Sequence, residues 1–338
     1  MKRMKMGIAV LITAALLLVC MTPLAVFADN TRYPTPGGYN DNDYQKLVTF
    51  LELEDESGVR NGEKISENYD PQDPTTWEGT TWENGNIFQI DFYDRNLIGK
   101  LDVSNCTELV ELDCSYNQLT ELDISNNTAL EHLGCDNNQL TELDVSNCTE
   151  LVELDCSYNQ LTELDISNNT ALDWLVCGDN QLTELDVSNN TALEHLRCDN
   201  NQLTELDISN NTAMWILSCR NNQLTSLNLE SSYSLSFLAD RVEAEGNGFI
   251  AVNLYSEVED YTYLGCVYAE PKSGSTFIGW YDENGVLLSS EAEFDISDAN
   301  STVFIAKFEG GSPELTEYTV TINHNETVQP IPRPVATQ

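Results

Sequence analysis

The chain has 338 residues, 41% of them hydrophobic, enough for two or three compact units and too apolar for a chain disordered throughout. Its 56 acidic residues against 15 basic ones give a formal net charge of −41. This argues against nucleic acid or anionic membrane as a partner, because neutralising phosphates takes clustered Lys and Arg.

Residues 1–28 read as a secretory signal peptide. Lys2, Arg3 and Lys5 precede the apolar run Ile8 to Val19, and Ala25-Val-Phe-Ala28 places small residues where a signal peptidase cuts. Cys20 would suit a lipoprotein signal, but Val19 stands where a small residue is wanted. Removing the segment leaves 12 bases against 56 acids, a formal charge of −44. No later run approaches the ~20 apolar residues of a membrane helix, so no membrane insertion is expected after cleavage. Residues 29–42 form a linker and 43–86 an amino-terminal cap. Within the cap, Asp43 to Leu53 is an amphipathic helix with Tyr44, Leu47, Phe50 and Leu51 on one side, and Asn84-Gly85 is a hairpin turn.

From 87 to 240 the chain repeats itself every 21 residues, in segments beginning at Leu109, Leu130, Leu151, Leu172, Leu193 and Met214. Five fit L-x-x-L-x-C-x-x-N-x-L, the sixth with Met214 in the first position, followed in most by T-x-L-D-[IV]-S. Leu193, Leu196 and Cys198 point inward from a short strand, and Leu203, Leu206 and Ile208 fill the returning half. The Asn column 117, 138, 159, 180, 201 and 222 is placed to satisfy backbone groups in the tight turn. Residues 101–130 are identical to 143–172, a duplicated two-coil unit. No coil buries its apolar side alone, so coils must stack.

These positions resemble the leucine-rich repeat family in its 21-residue bacterial form. The resemblance implies a curved parallel-β solenoid with few helices. The preceding stretch from Tyr69 through Trp77 and Trp82 to Gly85 resembles the tryptophan-bearing cap common before such repeats. Beyond 240 the period changes. Phe249-Ile-Ala-Val, Cys266-Val-Tyr-Ala, Thr276-Phe-Ile-Gly-Trp280-Tyr and Thr302 to Phe308 are short β-rich runs, making 241–308 a small β domain. Its Gly-Ser-Thr-Phe-Ile-Gly-Trp-Tyr-Asp-Glu-Asn-Gly run is similar to the internalin B-repeat module. Residues 309–338 read as a tail or an incomplete module, and the stack itself should end near Asp240, after Leu235 and Leu238.

Six cysteines, Cys114, Cys135, Cys156, Cys177, Cys198 and Cys219, recur once per coil. Adjacent coils lie ~4.8 Å apart with parallel side chains, whereas a disulfide needs converging β-carbons, so these read as buried small hydrophobes. The acidic column Asp123, Asp144, Asp165, Asp186 and Asp207 invites calcium, but the calcium-binding nonapeptide signature is missing and a solvated acidic face is expected. Nothing in the sequence calls for a cofactor or metal. The three histidines belong to no catalytic motif, and no enzyme is expected.

The strand positions that face outward carry the functional signal. Trp174, Trp215 and Ile216 are large apolar groups directed at water, His132 and His195 share one outward position, and Arg197 and Arg220 are the only bases between 109 and 234. Tyr116 and Tyr158, equivalent in the duplicated coils, are weaker candidates. The resulting expectation is a secreted or cell-surface protein that binds another protein or adheres through the concave face of the solenoid. Two other readings stand beside it: a calcium-stabilised structural element, and a hydrolase of glycans or peptides resting only on abundant carboxylates.

Overall fold

Each repeat closes one turn of a stack, and the computed structural model shows how the columns lock together. It describes residues 33–228, 241–245, 247–257, 262–296 and 303–310. The signal segment, the fading repeat at Leu235 to Asp240 and the tail beyond 310 lie outside the described residues.

The cap comes first. Helix α1 (Asp41–Leu51) starts two residues before the amphipathic pattern does, because the Asn40 side chain accepts the backbone N–H groups of Asn42 and Asp43 and sets its N-terminus there. Tyr44, Leu47, Phe50 and Leu51 are buried as the spacing predicts. A second short helix, α2 (Asn61–Ile65), follows. The hairpin β1 (Thr80–Glu83) and β2 (Asn86–Asp91) turns at Asn84-Gly85, both with positive φ (50° and 86°), as a right-twisted two-residue turn requires. Tyr44 stacks on the buried Trp77 at 5.4 Å between ring centroids, and the Trp77 indole N–H donates to the Asp70 carbonyl at 2.9 Å. Buried polar groups weld the cap to the stack. Asp43 accepts from the Ile87 amide at 3.0 Å, and Asn61 donates to the carbonyls of Phe50 and Ile98, both at 3.1 Å.

Then come β3 (Ile98–Asp102), β4 (Glu111–Asp113), β5 (Gln118–Asp123), β6 (His132–Gly134), β7 (Glu153–Asp155), β8 (Trp174–Val176), β9 (His195–Arg197), β10 (Leu206–Asp207), β11 (Ile216–Ser218) and β12 (Ser226–Asn228). The last group is β13 (Arg241–Glu245), β14 (Gly248–Glu257), β15 (Thr262–Pro271), β16 (Ser275–Tyr281), β17 (Leu287–Ser289), β18 (Glu293–Asp295) and β19 (Val303–Gly310). The large sheet has 11 strands in the order β1-β2-β4-β6-β7-β8-β9-β11-β14-β15-β18. Strands β2 to β11 pair in parallel, with the repeat positions in register, for example Glu153 beside Trp174 and Trp174 beside His195. A β-rich unit therefore follows the repeat, and its strands continue the solenoid's sheets. Strand β14 runs antiparallel against β11 in the large sheet, while a 6-stranded sheet ordered β10-β12-β13-β19-β16-β17 carries on the other side of the stack.

The interior is the repeated leucine set with the cysteine column threaded through it, all at or near zero exposure. The asparagine column does what its position suggests. Asn159 donates to the carbonyls of Cys135 in the preceding coil (2.9 Å) and Cys156 in its own (3.2 Å), and accepts from the Leu140 amide (2.9 Å). The same set recurs at Asn138, Asn180, Asn201 and Asn222. A second ladder was not anticipated from the sequence. Asn169, Asn190 and Asn211 each donate to two backbone carbonyls of the preceding coil, at 2.7–3.0 Å. Cys106 and Cys148 occupy this second column in the duplicated unit, and the Cys148 thiol lies 3.9 Å from the Ile124 carbonyl, the equivalent acceptor.

Candidate functional site

The outer surface of the large sheet is ordered in rows, one side chain per coil. The row at the first strand position runs Glu111, His132, Glu153, Trp174, His195, Ile216. Its first half is ionic: His132 Nδ1 lies 3.4 Å from the Glu153 carboxylate. Its second half is apolar and aromatic. Trp174 is 39% exposed, and its ring lies over the His195 imidazole at 3.6 Å between centroids.

Two of the outward-directed candidates are not at the surface. His195 is 1% exposed, and neither ring nitrogen has a hydrogen-bond partner. Ile216 is also buried. Strand pattern correctly assigns both to the outer row, but it does not register cover from neighbours. Trp174 lies across His195, and β14 flanks β11, with Ile216 opposite Tyr255. Burial disfavours the charged imidazole, with the Arg197 guanidinium adding repulsion, so the His195 pKa falls to about 4.

The remaining candidates divide. Arg197 is exposed beside His195 on β9. Trp215 is half-buried, and its indole N–H donates to Glu194 at 3.0 Å. The exposed Arg220 is engaged by the β-rich unit: its guanidinium lies 4.3 Å from the Tyr268 ring centroid on β15, and its amide donates to Asp199 at 2.7 Å. His132 belongs to the ionic half of the row. The fold thus gathers Trp174, His195, Arg197 and Ile216 into one neighbourhood, with Trp215 at its margin, and leaves His132 and Arg220 outside it.

A hollow lies elsewhere. A trough of about 1260 Å³ runs along the opposite side of the stack, floored by Leu122, Leu143, Leu164, Leu185 and Leu206 and walled by the acidic columns. Its aspartates are engaged in their own turns: the amides of Ser125, Ser146, Ser167, Ser188 and Ser209 donate to the Asp two residues before. Hydrogen bonds from the side chains of Ser167, Ser188 and Ser209, and then from their amides, hold Asp165, Asp186 and Asp207 below the usual carboxylate range; at Asp123 burial pushes upward but the Ser125 bonds and Lys100 together outweigh it. Among the described residues no three His, Cys, Asp or Glu side chains converge as a metal site. The cysteines are free thiols there, and burial pushes those of Cys148, Cys177 and Cys219 up to about 12.

The sequence reading passed over one exposed residue. Tyr93 is half-exposed and its ring lies 5.2 Å from that of Tyr116. It stands in the irregular first coil, where no repeat column draws attention to it.

Repeat, register and asparagine ladders define a parallel-β solenoid of leucine-rich coils about 21 residues long. No family profile matches the chain, and no curated protein matches it. Solved structures do. The functional domain of InlJ from Listeria monocytogenes, described as including a cysteine ladder, is 45% identical over 39% of this chain and 30% of that one, with a TM-score of 0.39. A leucine-rich-repeat protein of Leptospira interrogans is 28% identical over 38% of this chain and 36% of its own, with a TM-score of 0.36. The leucine-rich effector YopM from Yersinia pestis is 27% identical over 36% of this chain and 40% of its own, with a TM-score of 0.32. The chain therefore spans less than half the length of each of these. Among the described residues no helix is long and apolar enough to cross a membrane.

Proposed function

We propose that this chain is an exported binding protein, secreted or held at the cell surface, whose large sheet captures another protein at the neighbourhood of Trp174. One observation carries the reading: a tryptophan stands 39% exposed in the middle of a sheet whose register is otherwise used to hide apolar surface. Indoles and guanidinium groups dominate protein contact sites, and Trp174 and Arg197 sit on adjacent strands. Beneath them, His195 provides a flat, buried support. In this reading residues 1–28 direct export, 29–42 link, 43–86 cap the stack, 87–240 bind, 241–308 extend the binding scaffold, and 309–338 form a tail. The activity is binding without turnover, and calcium has no part in it.

Replacing Trp174 and Trp215 together by Ala should abolish capture of the protein partner while circular dichroism and melting temperature stay nearly unchanged. Capture that survives the double substitution places the site elsewhere. The melting temperature should be the same with and without EDTA, and a chelator-sensitive melt would restore the calcium-stabilised reading.

A further inference from the structure

A second surface, separate from Trp174, is marked by three tyrosines that the core does not use. Tyr93, Tyr116 and Tyr158 are 48%, 48% and 55% exposed, along the edge where the strands of the large sheet give way to the turn. Two of them occupy backbone that tyrosine disfavours. The turn position has positive φ in every coil from Asp94 to Asn221, and Asp94, Asn137, Asp179, Asn200 and Asn221 supply the side chains that tolerate it. Tyr116 and Tyr158 take the same conformation, at φ 57° and 51°. Here an unfavourable backbone and an unfavourable exposure coincide in one side chain, twice. Within the chain the Tyr116 ring has the Tyr93 ring beside it and Tyr158 has the Asp179 carboxylate, and backbone and exposure both point to residues held for a contact.

Spacing and charge name the contact. Tyr116 and Tyr158 are two coils apart, ~9.6 Å at the ~4.8 Å strand repeat. A polyproline II helix advances ~9.3 Å in one three-residue turn, so tyrosines at this separation meet the same face of such a helix. The surroundings are anionic. Asp136, Asp94 and Asp113 act electrostatically on the Tyr93 hydroxyl, and Asp179 and Asp199 on that of Tyr158. Arg95 and Arg220 lie at the two ends of this edge, outside the Tyr116 to Tyr158 interval.

The geometry points to a docking edge for a proline-rich, arginine-bearing peptide segment, with prolines seated against Tyr116 and Tyr158 and arginines directed to Asp136 and Asp179. Aromatic ridges read a preformed polyproline helix at little entropic cost, and the carboxylates select for positive charge. A neutral glycan would use the rings but not the carboxylates' charge.

The test is titration of the purified chain, followed by calorimetry, with a synthetic (Pro-Pro-Arg)4 peptide capped at both ends. A capped (Gly-Ser-Arg)4 peptide of equal charge and cellohexaose serve as comparisons. Binding of the proline peptide at least tenfold tighter than the Gly-Ser peptide is expected, and none of cellohexaose. The double variant Tyr116→Asn, Tyr158→Asn installs the residue that coil 137 already carries, so it should melt no lower than the parent and lose at least tenfold in affinity for the proline peptide. Equal binding of the two peptides, binding of cellohexaose in place of the peptide, or undiminished affinity in the melting-competent double variant would each overturn the proposal. Loss of this binding leaves capture through Trp174 intact, so the two surfaces fail separately.

Discussion

Asn159 holds four backbone groups in two coils with one amide, the carbonyls of Cys135, Cys156 and Ser157 and the Leu140 N–H, and removing that amide strands them away from water. Asn159→Ala should therefore destabilise the chain by about 2–4 kcal/mol, since each buried group left unpaired costs about 1–3 kcal/mol. Urea unfolding followed by circular dichroism measures it, and a change below about 0.5 kcal/mol would mean the ladder is decorative. His195 gives a pH signature. Its folded pKa lies near 4, below the ordinary histidine value, so the unfolded chain takes up the proton first as pH falls. Its contribution to stability should be present above pH ~6.5 and decline between ~6.5 and ~4, at no more than ~1.4 kcal/mol per pH unit. His195→Leu should flatten that part of the stability curve relative to the parent. The columns of Leu, Cys and Asn were legible because each is written once per coil. The burial of His195 was not, because alternation along a strand specifies a face and not which neighbour lies over it.

At the scale of the element, the cysteine column and the cap carry separate consequences. Among the described residues eight thiols are buried and Cys266 is partly exposed, so of these nine iodoacetamide should label Cys266 in the native chain and the other eight after unfolding. Rapid native labelling of Cys156 would show that the coils open. Phe50, buried on α1 and stacked near Phe92 at 6.2 Å, closes the amino-terminal end of the stack. Phe50→Ala should cost about 3–5 kcal/mol, read as a lowered midpoint in chemical denaturation. The helix was legible from Tyr44, Leu47, Phe50 and Leu51; its true start was set by Asn40, a cap outside the amphipathic pattern. Pairing of β14 with β11 was not legible. Phe249-Ile-Ala-Val announces a strand, but the partner it chooses is a tertiary matter that local periodicity does not encode.

Across the whole molecule, both sheets run on from β11 and β12 into β14 and β13, with Trp174 on a sheet extended beyond the repeat by β14, β15 and β18. The exposed Trp174 beside Arg197 on such a scaffold suits the proposed capture by contact, and the strongly anionic charge keeps unoccupied molecules apart. The sequence told which residues face outward on the strands, and so named Trp174 and Arg197. It was silent on how Arg220 would be drawn to Tyr268, a contact between segments far apart in the chain. The most direct measurement places a photo-crosslinking amino acid at position 174 and, in a second molecule, at exposed position 163 on the opposite side of the stack, and irradiates each with a mixture of extracellular proteins. A discrete protein adduct at 174 and none at 163 is predicted. Equal adducts at both positions, or an adduct only at 163, would contradict binding through the large sheet.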